Sequence, residues 1–357
     1  MNYKNKKFKA IDFFCGGGGM TCGLLQSGID VIAGIDYDVI CKETYEKNNT
    51  NSKFIHADIT KYNPENLIRD ANIKVNDDNL IFVGCSPCQY WSVIQTNKTK
   101  STTTKNLIHD FMRFVEFFKP GFVVVENVPG ILGRKNESLL HEFIDNLEKN
   151  DYLVKSDVIN LNYYGVPQSR KRFSLIASRV CSIELPKPDS RKAIIKDFIG
   201  LTNGFEKINA AHTDTTNFQH TTSLLKDINL KRLANTKKNG GSRLEWKDEP
   251  ELQLNTYKGR DREFPDNYGR MSWDKPAPTI TTKFNSISNG RFAHPDEDRG
   301  ISIREGATLQ TFPKSYVFYG NGIGANAKII GNAVPPEYAK RIGKTIIESV
   351  KNAKFQN

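Results

Sequence analysis

Between Lys9 and about Ser178, short runs of β-branched and aromatic residues alternate with amphipathic stretches, the pattern of a parallel sheet covered by helices. It predicts strands at Ala10 to Phe14, Val31 to Ile35, Phe54 to His56, Leu80 to Gly84, Phe122 to Glu126, Val154 to Leu161 and Phe173 to Ala177, with helices between them. The clearest helix is Lys105 to Phe118, where Leu107, Ile108, Phe111, Met112, Val115 and Phe118 recur at helical spacing before Lys119-Pro120-Gly121 ends it. Its apolar face reads as core. From Pro188 to about Pro276 the alternation is lost, Asn, Thr, Lys and Arg dominate, and Gly240-Gly241 interrupts the chain, so a separate module is expected. The stretch Lys328 to Val350 contains Gly331-Asn332-Ala333-Val334-Pro335-Pro336 and continues as an amphipathic helix. The pattern thus predicts an α/β protein: a doubly wound, mostly parallel sheet over 1–187, a smaller domain over 188–327, and a segment, 328–357, returning to the first.

Composition narrows the classes. With 357 residues, 38% hydrophobic and 25% charged, the chain is an ordinary globular one, neither disordered nor collagen-like. The longest apolar runs, Leu80 to Val83 and Phe122 to Val125, are too short to span a bilayer, and Asp12 interrupts the only apolar stretch near the N-terminus. No membrane association or signal peptide is expected. Six cysteines are too few for a disulfide scaffold, and no second CxxC or His pair completes a zinc site. Reduced cytoplasmic thiols and no bound metal are expected. Fifty-one Lys and Arg against 40 Asp and Glu leave a net charge of +11, which favours a polyanionic partner.

The chemistry-bearing residues fall at predicted strand ends. After the first strand come Phe14, Cys15 and four glycines, Gly16, Gly17, Gly18 and Gly19, a turn that lets a ligand approach the backbone. No Gly-Lys-Ser/Thr follows, and Thr21-Cys22 stand where the dinucleotide fingerprint wants its third glycine, so no phosphate cradle is implied. Asp36, followed by Tyr37, ends the second strand, where a carboxylate can accept both hydroxyls of a ribose. Asp58, followed by Ile59, is placed to receive an adenine amino group. Together they suit a nucleoside cofactor such as S-adenosylmethionine, while tight turns and helix caps remain an alternative. The fourth strand leads into Cys85-Ser86-Pro87-Cys88-Gln89, either a redox CxxC, a buried cysteine or a lone nucleophile at Cys88. The fifth runs into Glu126-Asn127-Val128, placing a carboxyl group beside the cysteine's strand, where burial demands a partner. Arg170 and Arg172, after Gln168, alternate on a strand edge and can point the same way.

In this order the motifs closely resemble the cytosine-5 DNA methyltransferases. Phe14 to Gly19 is similar to their first motif, Pro87-Cys88-Gln89 with Trp91-Ser92 to their catalytic loop, and Glu126-Asn127-Val128 to their acid motif. Gln168 with Arg170 and Arg172, then Arg304-Glu305 through Leu309-Gln310-Thr311-Phe312-Pro313, then Gly331 to Pro335 follow in the family's order. The resemblance leaves only the middle module unmatched. It departs at Asp36, where glutamate is common, and at Ser86, where proline is common.

The resemblance implies an S-adenosylmethionine-dependent, Rossmann-like catalytic domain and a target-recognition domain. Cys88 would add to carbon 6 of cytosine, Glu126 would hold ring nitrogen 3 and the exocyclic amine, and Arg172, or Arg170, would bind the ring carbonyl. The cofactor would be held by Phe14 to Gly19, Asp36, Tyr37, Asp58, Ile59, Pro87, Asn332 and Ala333. DNA contacts are expected from Gln89, Ser92, Lys98, Lys100 and Lys105 in a stretch free of acids, and from Arg243 and Arg260 among the basic residues of the middle module. The target base would be flipped out of the duplex. Double-stranded DNA is the expected partner, the protein a cytoplasmic bacterial monomer, on the nucleoid when DNA-bound, with a restriction endonuclease of the same specificity that need not bind it. A tRNA methyltransferase of the same family is the nearer rival and a CxxC dithiol oxidoreductase the remoter one.

Overall fold

The computed structural model of the chain describes residues 7–86, 107–133, 139–260 and 263–353. Seven segments rich in apolar and β-branched residues form one sheet: β1 (Lys9–Phe13), β2 (Asp30–Asp36), β3 (Lys53–His56), β4 (Leu80–Gly84), β5 (Phe122–Asn127), β6 (Leu153–Asn160) and, after a short β7 (Gln168–Ser169), β8 (Lys171–Ser178). Their order is β3-β2-β1-β4-β5-β8-β6. The pairings β3·β2, β2·β1, β1·β4 and β4·β5 are parallel, and β8 is antiparallel to both its neighbours. The expected α/β class and mostly parallel sheet are observed. Because β1 lies between β2 and β4, the strand order reverses there, and a crevice at the carboxyl ends of β1 and β4 follows, the usual ligand position of open α/β sheets. The reversed β8 brings its start to that same end, with Phe173 opposite Asn127.

Alternation along the strands separates two faces. One carries Phe13, Ile35, Phe82, Val125 and Leu175, packed against Leu67 of α3 (Pro64–Ala71), Phe111 and Phe114 of α4 (Leu107–Phe118) and Phe143 of α5 (Leu139–Lys149). Phe13 meets the rings of Phe82, Phe111 and Phe114 edge-on at 5.1 Å each. Each such pair contributes roughly 0.5–1.5 kcal/mol beyond the buried area. The opposite face carries Asp12, Gly34 and Ser174 and takes α1 (Gly19–Ser27), Tyr45 of α2 (Lys42–Asn48) and α9 (Pro336–Ala353). Helices α1 and α9 approach so closely that a Cβ on Gly23 would stand 2.2 Å from the Pro336 carbonyl oxygen. Tyr338 of α9 donates to Ser174 Oγ at 2.6 Å, tying the last helix to β8.

Two compact units are present: Met1–Asn160 with Lys171–Pro188 and Val334–Asn357, and Leu161–Arg170 with Asp189–Ala333. The pattern along the chain predicts boundaries at 187/188 and 327/328. The structure keeps most of the middle module together but adds 161–170, with Gln168 and Arg170, and 328–333, with Asn332 and Ala333, to the second unit. That unit contains α6 (Asp227–Ala234), α7 (Ile303–Leu309), α8 (Ile323–Asn332) and a short β9 (Ala277–Pro278) parallel to β7. Its core gathers Trp246, Leu233, Tyr268, Ile287 and Ala293. Arg243, Arg270, Arg299 and Arg304 are fully buried there. Burying a guanidinium requires that its donors be used. Arg299 forks onto Glu305 at 2.7 and 2.9 Å, and Arg270 donates to the carbonyls of Leu233, Thr236, His294 and Glu297. Among the described residues no helix is long and apolar enough to cross a membrane, and no group of three or more His, Cys, Asp and Glu is placed to hold a metal ion.

Candidate active site

The carboxyl ends of β1, β2, β4 and β5 and the start of β8 collect the titratable groups of the first unit. After β1 the backbone turns sharply: Phe14, Gly16 and Gly18 have φ of 63°, 49° and 84°. Such values suit glycine and strain phenylalanine. Gly18 caps α1, and Cys22 N–H returns to its carbonyl at 2.8 Å. A Cβ at Gly16 would meet nothing within 4 Å, so the loop has open space before it. Asp36, ending β2, holds this loop from outside: one carboxylate oxygen accepts from Gly16 N–H at 2.8 Å and the other from Asp38 N–H at 2.8 Å. Burial pushes its carboxyl above the ordinary range against those two hydrogen bonds. Each oxygen keeps a lone pair for a ribose hydroxyl. Tyr37 is 62% exposed, and Ile59 is buried. Asp58 caps a turn, accepting from the Thr60 N–H and hydroxyl.

Asp12, inside β1, is in sequence only an interruption of an apolar run. It is fully buried, and its Oδ2 accepts from the Thr21 hydroxyl at 2.7 Å and from Thr21 N–H at 3.2 Å. The chain continues through Tyr45 Oη to Ser52 Oγ. Oδ1 is buried without a hydrogen-bond partner among the described residues. Desolvation, helped by the charge of Asp36 and opposed by Thr21, raises the carboxyl to about 7. The only sequence signal was an acid at the middle of an otherwise apolar strand.

Glu126 ends β5, buried, with Oε1 standing 3.2 Å from Nε of Arg172. The approach is oblique, so Oε1 has an ion partner but no hydrogen bond within the described chain. Arg172 reaches it from β8 and donates through Nη1 to its neighbour's carbonyl, that of Lys171. The adjacent Asn127 binds back across the sheet: its Nδ2 donates to the Ser86 carbonyl and hydroxyl, both at 3.1 Å, while its Oδ1 accepts from Val128 N–H at 2.8 Å. Asn127 therefore fixes the residue that leads into Pro87-Cys88. Cys85 precedes Ser86. Its thiol is pushed well above its usual range by burial and by the charge of Glu126. Cys15 is likewise raised by burial.

The remaining expected site residues fall into two groups. Pro87, Cys88, Gln89, Ser92, Lys98, Lys100 and Lys105 lie outside the described residues. Arg170 belongs to the second unit, where Nη1 donates to the Ile280 carbonyl at 3.1 Å and Nη2 to the Ala333 carbonyl at 3.2 Å. It is buried there and holds backbone. Gln168 joins the same knot through Leu309 and Gln310, and Gln310 in turn holds Ile330 and Ala333. Asn332, exposed at the end of α8, and Ala333 are part of this second unit. Arg243, expected on DNA, is 1% exposed with its donors on backbone carbonyls, which corrects that expectation. Arg260 is exposed.

The fold is that of the Rossmann-like methyltransferases. A solved structure assigned to a DNA modification methyltransferase of an E. coli prophage covers 97% of this chain and all of its own, with TM-score 0.73 at 21% identity. An Entamoeba histolytica methyltransferase, EhMeth, covers 97% and 99% with TM-score 0.62 at 16% identity. In sequence the chain is 38% identical to the Type II methylase M.HgiDII of Herpetosiphon aurantiacus, covering 94% of each. It is 30% identical to the Type II methyltransferase M.DdeI of Desulfomicrobium norvegicum, covering 97% and 90%. The family model of C-5 cytosine-specific DNA methylase matches residues 8–348, and the chain belongs to that family. Its activity is that of a DNA (cytosine-5)-methyltransferase.

Proposed function

We propose that the protein methylates carbon 5 of a cytosine within a specific double-stranded DNA sequence, as the modification enzyme of a restriction-modification system. The observation that carries the catalytic assignment is the Glu126 carboxyl, buried at a strand end beside Arg172 with no hydrogen bond to Oε1 among the described residues. A buried acceptor of this kind is costly unless a ligand completes it. The flipped cytosine presents a complementary edge.

Cytosine carbon 5 is a poor nucleophile, so Cys88 is assigned to add as thiolate to carbon 6, breaking the 5,6 double bond and making carbon 5 enamine-like. Glu126 donates a proton or hydrogen bond to ring nitrogen 3 as negative charge builds there, and Arg172 holds both Glu126 and the ring carbonyl. A base then removes the carbon 5 proton and Cys88 leaves, restoring the ring. S-adenosylmethionine supplies an electrophilic methyl group. The residues fit it: the glycine turn has open space and Asp36 retains acceptor capacity. Phe14, Gly16 to Gly19, Asp36, Tyr37, Asp58 and Ile59 would hold it. The second unit is assigned to target recognition, and the protein to the bacterial cytoplasm as a monomer.

The tRNA reading has less behind it, since the matched family is a DNA methylase one and the sequence relatives are Type II methylases. A dithiol oxidoreductase needs a readily ionised thiol, and Cys85 is shifted the other way. The test is a duplex carrying 5-fluorocytosine at the methylated position. Fluorine cannot leave as a cation, so a denaturation-resistant adduct should form, dependent on S-adenosylmethionine and on Cys88. Methylation of ordinary DNA without that adduct would overturn the covalent route.

A further inference from the structure

In the second unit, one buried arginine holds the backbone at an exposed phenylalanine. Arg243 donates through Nη2 to the carbonyls of Arg260 at 2.9 Å and Glu263 at 2.6 Å, and through Nε to that of Phe264 at 3.4 Å. Its guanidinium carbon lies 4.3 Å from the ring centre of Tyr257, whose hydroxyl accepts from Asn267 Nδ2 at 2.8 Å. A planar cation that divides its donors among the carbonyls of Arg260, Glu263 and Phe264 fixes the backbone at those three residues.

Phe264 is the product of this arrangement. Its φ is 48°, a left-handed value, and it directly precedes Pro265, a position that favours extended backbone. Its side chain is nonetheless 63% exposed. Neither core packing nor solubility explains a strained phenylalanine held out in solvent, and such strain collects at functional positions. Lys258 and Arg260 are exposed beside it, with Arg260 only loosely paired to Glu263 at 3.7 Å. An exposed apolar ring a few residues from exposed basic side chains matches DNA, whose bases offer flat faces and thymine methyl groups and whose phosphates take positive charge.

We propose that Phe264 contacts a base of the recognition sequence and is a specificity-determining residue of this methyltransferase, with Arg243 as the positioning residue that presents it. The proposal rests on the second unit being the target-recognition part. The full-length protein with Phe264→Gly, Phe264→Ala or Phe264→Trp is assayed on the methylated duplex and on duplexes substituted at each base pair of the target. Phe264→Gly relieves the left-handed backbone, so its melting temperature should hold or rise while discrimination at one base pair falls roughly tenfold, as expected for a lost base contact. Phe264→Ala should show the same loss and Phe264→Trp should restore it. The KM for S-adenosylmethionine should not move. Arg243→Lys should lose discrimination at that same base pair. Unchanged discrimination in Phe264→Gly and Phe264→Ala, or an equal weakening on every duplex, overturns the proposal. Wild-type methylation of the target would still stand in that case, whereas its absence would count against the function assigned above.

Discussion

Nε of Arg172 stands 3.2 Å from Oε1 of Glu126, although the two residues belong to strands that run in opposite directions. Register makes this possible: Glu126 lies opposite Ser174, so Arg172, two residues earlier on β8, is on the same face and one step diagonal. The pair orients the carboxyl group and, among the described residues, leaves its Oε1 short of a hydrogen bond. Glu126→Gln removes the acid at nearly constant volume. It should lower kcat by about a hundredfold or more, the usual scale of a positioned acid or base. Methyl transfer in single turnover is the measurement, and a rate near wild type would refute the role.

Cys88→Ser should abolish methyl transfer, because one thiol is needed as the nucleophile. Cys85→Ser should retain most of it, since burial and Glu126 keep that thiol protonated. Equal losses in the two variants would revive the dithiol reading.

Asn127 donates to both oxygens of Ser86 and thereby sets where the chain enters Pro87-Cys88. Asn127→Ala should cost roughly a hundredfold in kcat, the order expected from misplacing a reacting group by an ångström. The KM for S-adenosylmethionine should change little. If kcat is unaffected, the contact is dispensable to catalysis.

Asp12 is raised from 3.8 to about 7 in the folded protein. The folded state therefore binds its proton more tightly than the unfolded chain does, and this group's contribution to stability falls as pH rises from about 4 to about 7. Glu305, lowered from 4.5 to about 2 by Arg299, acts oppositely: its contribution is present above pH 4.5 and is lost as pH falls toward 2. Asp12→Asn should flatten the decline between pH 4 and 7 in denaturant titrations. An unaltered slope would show that Asp12 is not buried as a neutral acid.

Replacing residues 189–333 with the corresponding segment of a family member of different specificity should transfer that specificity, because Cys88, Glu126 and Arg172 all lie outside it. Sequencing of methylated cytosines in DNA from expressing cells is the readout. A chimera that is active on the original target would exclude this unit from target choice.

Strand positions, the glycine turn and the acids at strand ends were legible in the sequence, because each depends on neighbours a few residues away. Short apolar runs bounded by polar stretches mark β1 to β5, four consecutive glycines announce the sharp turn after Phe14, and Glu126 follows three valines. The order of motifs made the family legible as well. Tertiary structure alone decided which charged residues are available. Arg243 and Arg260 look alike as basic residues of one module, yet the first is buried under carbonyls that lie 17 to 21 positions along the chain. Arg170 and Arg172 are two residues apart, but the first binds backbone 110 and 163 positions away while the second meets Glu126 across a strand pair. The buried oxygen of Asp12 is of the same kind. Desolvation and hydrogen-bond satisfaction depend on what long-range packing brings around a group, and local spacing carries no information about that.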